Sequence, residues 1–227
     1  MPKKIVKKQE DLELKNNKER DNVYNSFNNE QKSMFESIHN NIFTYCEAKA
    51  GTGKTLVTVA AMVNLLADNK ISKIIYIQKP SERYLSQGYL PGTMDEKEQF
   101  LFTPLYDALT TLGLFDGQIQ FMLDKGMLEL KSDSALRGVN FKNAGIIIDE
   151  AENMGYHTLK LIFTRCDDEC HVCMIGDSKQ KDNHRNNKDF IPYGDYLASF
   201  SFGNKITLKK NYRGKFSKTA EDFTLED

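Results

Sequence analysis

The residues from Ala48 to Thr55, AKAGTGKT, end in the Gly-Lys-Thr of a phosphate-binding loop. In such a loop, backbone N–H groups and the start of the following helix surround phosphate oxygens. A lysine neutralises their charge and a hydroxyl reaches the accompanying magnesium ion. Gly51 and Gly53 supply backbone freedom, Lys54 the charge and Thr55 the hydroxyl, with Ala50 and Thr52 completing the loop. Ala48 stands where the usual pattern has its first glycine, and an alanine serves there if its φ is negative. The ligands expected at such a loop are ATP and Mg2+.

Two further apolar runs end in acids. Three isoleucines lead into Asp149 and Glu150. The first acid is placed to hold the metal ion and the second to orient and deprotonate an attacking water. The run MIGDSKQ repeats the plan, with Asp177 and Gln180 as candidate sensors of the terminal phosphate.

Elements must bring these groups together. IFTYCEA from Ile42, KIIYIQ from Lys73, AGIIIDE from Ala144, HVCMIGD from His171 and KITL from Lys205 read as five strands. The run after Lys54 is helical, a helix capped by Asn28 or Asn29 carries Met34, Phe35 and Ile38, and further helices fall near 95–113, 117–125 and 157–166. Pro104 must start, kink or divide the first of these. Uninterrupted apolar strands alternating with helices predict an α/β fold, a mostly parallel sheet covered on both faces. Residues 1–22 read as a flexible arm, with one domain over 23–227 starting near Tyr24.

Among 227 residues, 31 Lys and Arg against 32 Asp and Glu give a formal net charge of -1. Attraction to a polyanion therefore rests on local patches, KKIVKK near the start and the segment from Lys205 to Lys218. The longest apolar stretch, Leu56 to Ala67, is too short to span a bilayer, and the first residues lack the apolar core of a signal peptide. The expectation is a cytoplasmic protein with no membrane partner. Cys166, Cys170 and Cys173 have a spacing that raises zinc, with His157 or His171, or an iron–sulfur cluster. Alternating directions along the strand containing Cys173 set its sulfur apart, so reduced structural thiols, Cys46 included, are the preferred reading.

AKAGTGKT, QKP, GYLPGTMDEKEQFLFTPLYDAL, ALRG, IIIDEAENM, FTR and IGDSKQKD, in that order, resemble the PhoH-like family of P-loop ATPases. The resemblance runs from about Gln31 to Asp182. It implies a RecA-like core related to superfamily-one helicases, a homo-oligomer with a ring of six subunits favoured, and links to RNA metabolism. It also implies that Gln31 either reads adenine or sits on the solvated face of its helix. Departures are Ala48, Gln78 and Lys79 in place of Thr-Arg, and Glu152 in place of Gln. The last two stand where a strand end would meet nucleic acid.

A single RecA-like domain implies an arginine from a neighbouring subunit, with Arg213 in the Y-R pattern of KKNYRGKFS preferred and Arg165 second. The function expected is Mg-dependent ATP hydrolysis coupled to single-stranded RNA or DNA. Lys79 and Arg83 would meet the backbone, and Tyr84 or Tyr89 would stack on a base. The alternative is an ATP-driven oligomeric switch acting on a protein partner. A small-molecule kinase is disfavoured by Glu150, which would waste ATP on water, and a binding module without turnover by the full set Lys54, Thr55, Asp149 and Glu150.

Overall fold

Every strand pairing is parallel in a computed structural model that describes residues 18–79, 101–136, 138–178, 190–216 and 219. Residues 18–26 form helix α1, so regular structure begins ahead of the start expected at Tyr24. Asn28 then caps α2 (Asn29–Asn40) in a reciprocal capping box with Gln31. β1 (Phe43–Glu47) runs into the phosphate loop and α3 (Lys54–Ala67) leaves it. The chain continues through β2 (Lys73–Gln78), α4 (Thr103–Thr111), α5 (Asp116–Asp124), β3 (Leu128–Ser132), β4 (Ala144–Asp149), α6 (Tyr156–Phe163), β5 (His171–Gly176), α7 (Phe190–Ala198) and β6 (Gly203–Ile206). Pro104 occupies the first turn of α4, where its missing N–H costs nothing.

The six strands lie in the order β3-β2-β4-β5-β1-β6. β5 therefore stands between the strand that feeds the phosphate loop and the strand that ends in Asp149. β3 is the strand not foreseen in the sequence: LELKS alternates apolar with charged residues and lies at an edge. Glu129 on β3 pairs with Lys73 at 2.7 Å and Lys131 at 2.9 Å, charges that also discourage pairing with another chain.

Alternation along the strands builds two cores. Tyr76, Ile147, Cys173 and Ile175 face α2, α3, α4 and α5, whereas Tyr45, Ile77, Ile148 and Met174 face α6 and α7. The sheet is thus covered on both faces, and its carboxyl edge gathers the ends of β1, β2, β4 and β5. In open parallel sheets that edge is where ligands bind.

Candidate nucleotide site

The loop between β1 and α3 takes its shape from two glycines. Gly51 has φ 74° and Gly53 φ 83°, both left-handed, and Gly53 caps α3 with the helix N–H groups open toward the loop. Ala48 is not among the residues with positive φ, so its methyl group is tolerated and packs into the core. Lys54 folds across the loop, its Nζ donating to the carbonyls of Ala48 at 2.5 Å and Lys49 at 3.0 Å. The loop thereby holds a cation at its centre.

Asp149 closes the site from β4. Its Oδ2 accepts from Thr55 Oγ1 at 3.0 Å and from Tyr76 Oη at 2.5 Å, and its Oδ1 accepts the N–H of Glu150 at 2.8 Å. Burial, reinforced by the adjacent carboxylate, pushes the Tyr76 phenol well above its ordinary value, so it remains a donor. A hydroxyl and a carboxylate joined in this way are hard oxygen donors suited to magnesium. The next residue, Glu150, adopts φ 49° and ψ 42°, a left-handed conformation uncommon without a glycine, and it turns the chain into the 3₁₀ segment Ala151–Asn153.

Asp177, just past β5, accepts the N–H of Ala50 at 2.9 Å through its Oδ2. The Ala48 N–H reaches the Gly176 carbonyl at 3.1 Å, and Ser178 Oγ donates to the carboxylate of Glu47. The end of β5 is thus bonded directly to the phosphate loop. Gln180 lies outside the described residues, as do Arg83, Tyr84 and Tyr89.

Gln31 is buried at the loop, and the solvated-face alternative does not hold. Its Nε2 donates to the Thr52 carbonyl at 3.0 Å, while its Oε1 accepts from the Asn28 N–H at 3.1 Å and from Tyr212 Oη at 3.4 Å. The capping box that starts α2 is also a brace for the loop. Sequence reasoning missed Tyr76 and the full part played by Tyr212. Neither carries a motif signal, because each acts through position on a neighbouring element.

After β6 the chain straps back over this brace. The N–H groups of Lys209 and Lys210 reach Glu30 Oε2 at 2.8 and 3.4 Å, and the Tyr212 N–H reaches the Gly51 carbonyl at 2.8 Å. The stem of Arg213 packs on Gly51 closely enough that a Cβ there would overlap it. The stem of Arg213 therefore stands over the loop of its own chain. Arg165 lies before β5, at the opposite edge of the sheet, with Nη1 donating to the Val139 carbonyl at 3.0 Å. It is far from its own loop by topology.

Two other expectations are corrected by burial. Gln78 and Glu152 are 4% and 5% exposed, so neither presents its side chain to a polymer, and of these departures only Lys79 reaches the surface. The cysteines split between the two cores, Cys173 with α3 and Cys170 with α6 and α7. Cys173 bonds Thr58 Oγ1 at 3.6 Å in one core, while in the other the Cys166 and Cys170 thiols bond each other, Cys166 also reaching the Ile162 carbonyl at 3.4 Å and Cys170 Asp167 at 3.2 Å.

A parallel sheet whose carboxyl edge joins a Gly-Lys-Thr loop to an Asp-Glu strand end defines a P-loop NTPase. The family described as "PhoH-like protein" matches residues 24–195, and the chain belongs to that family. It is 33% identical over 153 residues to a PhoH-like protein of Mycobacterium leprae, covering 67% of this chain and 43% of the relative. Against Protein PhoH of Escherichia coli K12 the figures are 30% over 156 residues, 68% and 44%. The chain spans less than half the length of these relatives. Among solved structures, the large terminase of a thermophilic bacteriophage is similar in fold, with a TM-score of 0.54 at 16% identity, covering 86% of this chain and 49% of the terminase. A form of that terminase in complex with ADP gives 0.50 at 15% identity, over the same shares. Among the described residues no helix is long and apolar enough to cross a membrane.

Proposed function

We propose that the chain hydrolyses ATP with Mg2+ and couples hydrolysis to binding or remodelling of single-stranded nucleic acid, RNA favoured. The observation that carries hydrolysis is the bond from Thr55 Oγ1 to Asp149 Oδ2, 3.0 Å long, with Glu150 displayed immediately after it. Thr55 and Asp149 would hold the magnesium ion, which supplies neutralisation of phosphate charge when bound. Lys54 and the N–H groups at the start of α3 bind the phosphates, and Glu150 takes the proton of the attacking water. Asp177, bonded to Ala50, with Gln180 beyond it, responds to the terminal phosphate. Arg213 adds positive charge to its own loop, and Gln31 with Tyr212 frames the position of the base. A neighbouring subunit in a homo-oligomer, a six-membered ring by family likeness, would supply a further arginine, for which Arg165 at the far edge is the candidate.

Support for a nucleic-acid partner comes from the strap. Lys209, Lys210 and Lys215 are exposed beside Tyr212, 49% exposed, and Phe216, 94% exposed, a combination suited to phosphate contact and base stacking. A second reading, a nucleotide-driven switch with a protein partner, is favoured by a different surface. Tyr196, Phe200 and Phe202 are exposed together, with Phe200 and Phe202 stacked at 5.4 Å. ATP hydrolysis by the purified chain with single-stranded RNA, with single-stranded DNA and with neither separates them. Stimulation of several-fold by RNA that weakens with added salt supports the first reading. Hydrolysis indifferent to both polymers contradicts it.

A further inference from the structure

Glu152 is an acid that the hydrolytic account above does not use. It sits in the 3₁₀ turn directly after Glu150, on the sheet face that carries α7, and is 5% exposed. Its carboxyl group receives its own N–H and that of Asp177, while Oε2 is left without a hydrogen-bond partner. Oε2 lies against the Cα of Gly176: a methyl group there would overlap it and the ring of Phe190. The glycine at the end of β5 thus makes room for this one side chain. From the same point the connection continues, because Asp177 accepts the Ala50 N–H of the phosphate loop. A buried acid in this position is costly unless it has work to do or is neutral.

We infer that Glu152 is a positioning residue of the hydrolytic site, its buried carboxyl group tying the turn that carries Glu150 to the end of β5 that carries Asp177. The inference rests on the proposed hydrolysis for its kinetic consequence and on the bonding alone for its effect on nucleotide preference. Because β5 separates β1 from β4, a terminal phosphate sensed at Asp177 must be reported sideways to Glu150. Glu152 is the side chain that spans that step. Burial pushes its carboxyl up to about 8, the nearby Glu150 and Asp149 adding to the effect against the two N–H donors. Raised in this way, the group favours its protonated form at neutral pH, and glutamine is the close isostere of that form.

The test compares the parent chain with Glu152→Ala and Glu152→Gln. Affinities for MgADP and for a non-hydrolysable ATP analogue with Mg2+ are measured, then kcat and KM for ATP between about pH 6 and about pH 9. Expected for Glu152→Ala are a kcat about tenfold lower at little-changed KM, and a loss of about tenfold in preference for the analogue over ADP. Glu152→Gln should recover most of the kcat loss at neutral pH and flatten the parent's alkaline fall. A Glu152→Ala chain with parental kcat and parental preference overturns the inference, as does an alkaline fall in Glu152→Gln identical to the parent's. If the parent binds both nucleotides without turnover, the hydrolytic reading fails alone. The analogue preference then decides: lost in Glu152→Ala it supports the tie, retained it overturns it. Should Glu152→Ala not fold, Glu152→Gln decides by its own preference and pH profile.

Discussion

Asp149 receives three donors, from Thr55, Tyr76 and the Glu150 backbone, and of these the Tyr76 hydroxyl is the most buried. Tyr76→Phe removes one donor and leaves the ring packed. A buried bond to a charged group is worth about 1.5–3 kcal/mol, so urea unfolding should show a loss of that order. Nucleotide affinity should fall by severalfold as Asp149 is freed to turn. A second prediction at this scale concerns Glu152. Its native value of about 8 against an ordinary 4.5 means that the unfolded chain releases this proton first as pH rises. The stability linked to the protonated group is complete below 4.5 and is lost up to about 8. Glu152→Gln has no such proton, so its stability relative to the parent should climb through that window, by at most about 1.4 kcal/mol per pH unit. Unfolding curves of both chains at acid and alkaline pH would show it; a constant difference would contradict the burial argument.

The phosphate loop, Asp149, Glu150 and Asp177 are legible in the sequence because a loop between a strand and a helix, and an acid at a strand end, are local patterns. What the sequence does not disclose is non-local. β3 escapes because LELKS is an edge strand with charged alternate positions, a pattern that neither a buried run nor a helix template captures. The strap after β6 reads as a basic surface segment, yet its backbone reaches Glu30 and Gly51 across most of the chain. Gly203 opens β6, the strand that leads into that strap, and a Cβ there would meet the Leu197 carbonyl and the Ala198 backbone. Gly203→Ala should cost about 1–3 kcal/mol through forced backbone movement. It should also weaken nucleotide binding at a distance from the loop, which binding of a fluorescent nucleotide would report. Lys205→Ala, which breaks an exposed 2.6 Å pair with Asp195, should leave stability within about 1 kcal/mol.

At the scale of the whole molecule, the near-neutral charge places any attraction to a polyanion in local basic patches, of which the strap is the one within the described residues, and not in the general surface. Replacing Lys209, Lys210 and Lys215 together by alanine should abolish stimulation by RNA and flatten its salt dependence, while basal hydrolysis changes little. Sedimentation of that variant, matching the parent, would show that its state of association is unchanged. The organisation of the sheet makes one claim central: the loop, Asp149 and Glu150 form a site that breaks ATP and does not merely hold it. The direct measurement is phosphate release by the purified chain and by Glu150→Gln, with nucleotide binding determined for both. The account predicts that the variant binds MgATP with affinity within a few-fold of the parent and loses hydrolysis by about a hundredfold or more. Equal phosphate release by the two chains, or none from a parent that binds ATP well, would contradict it.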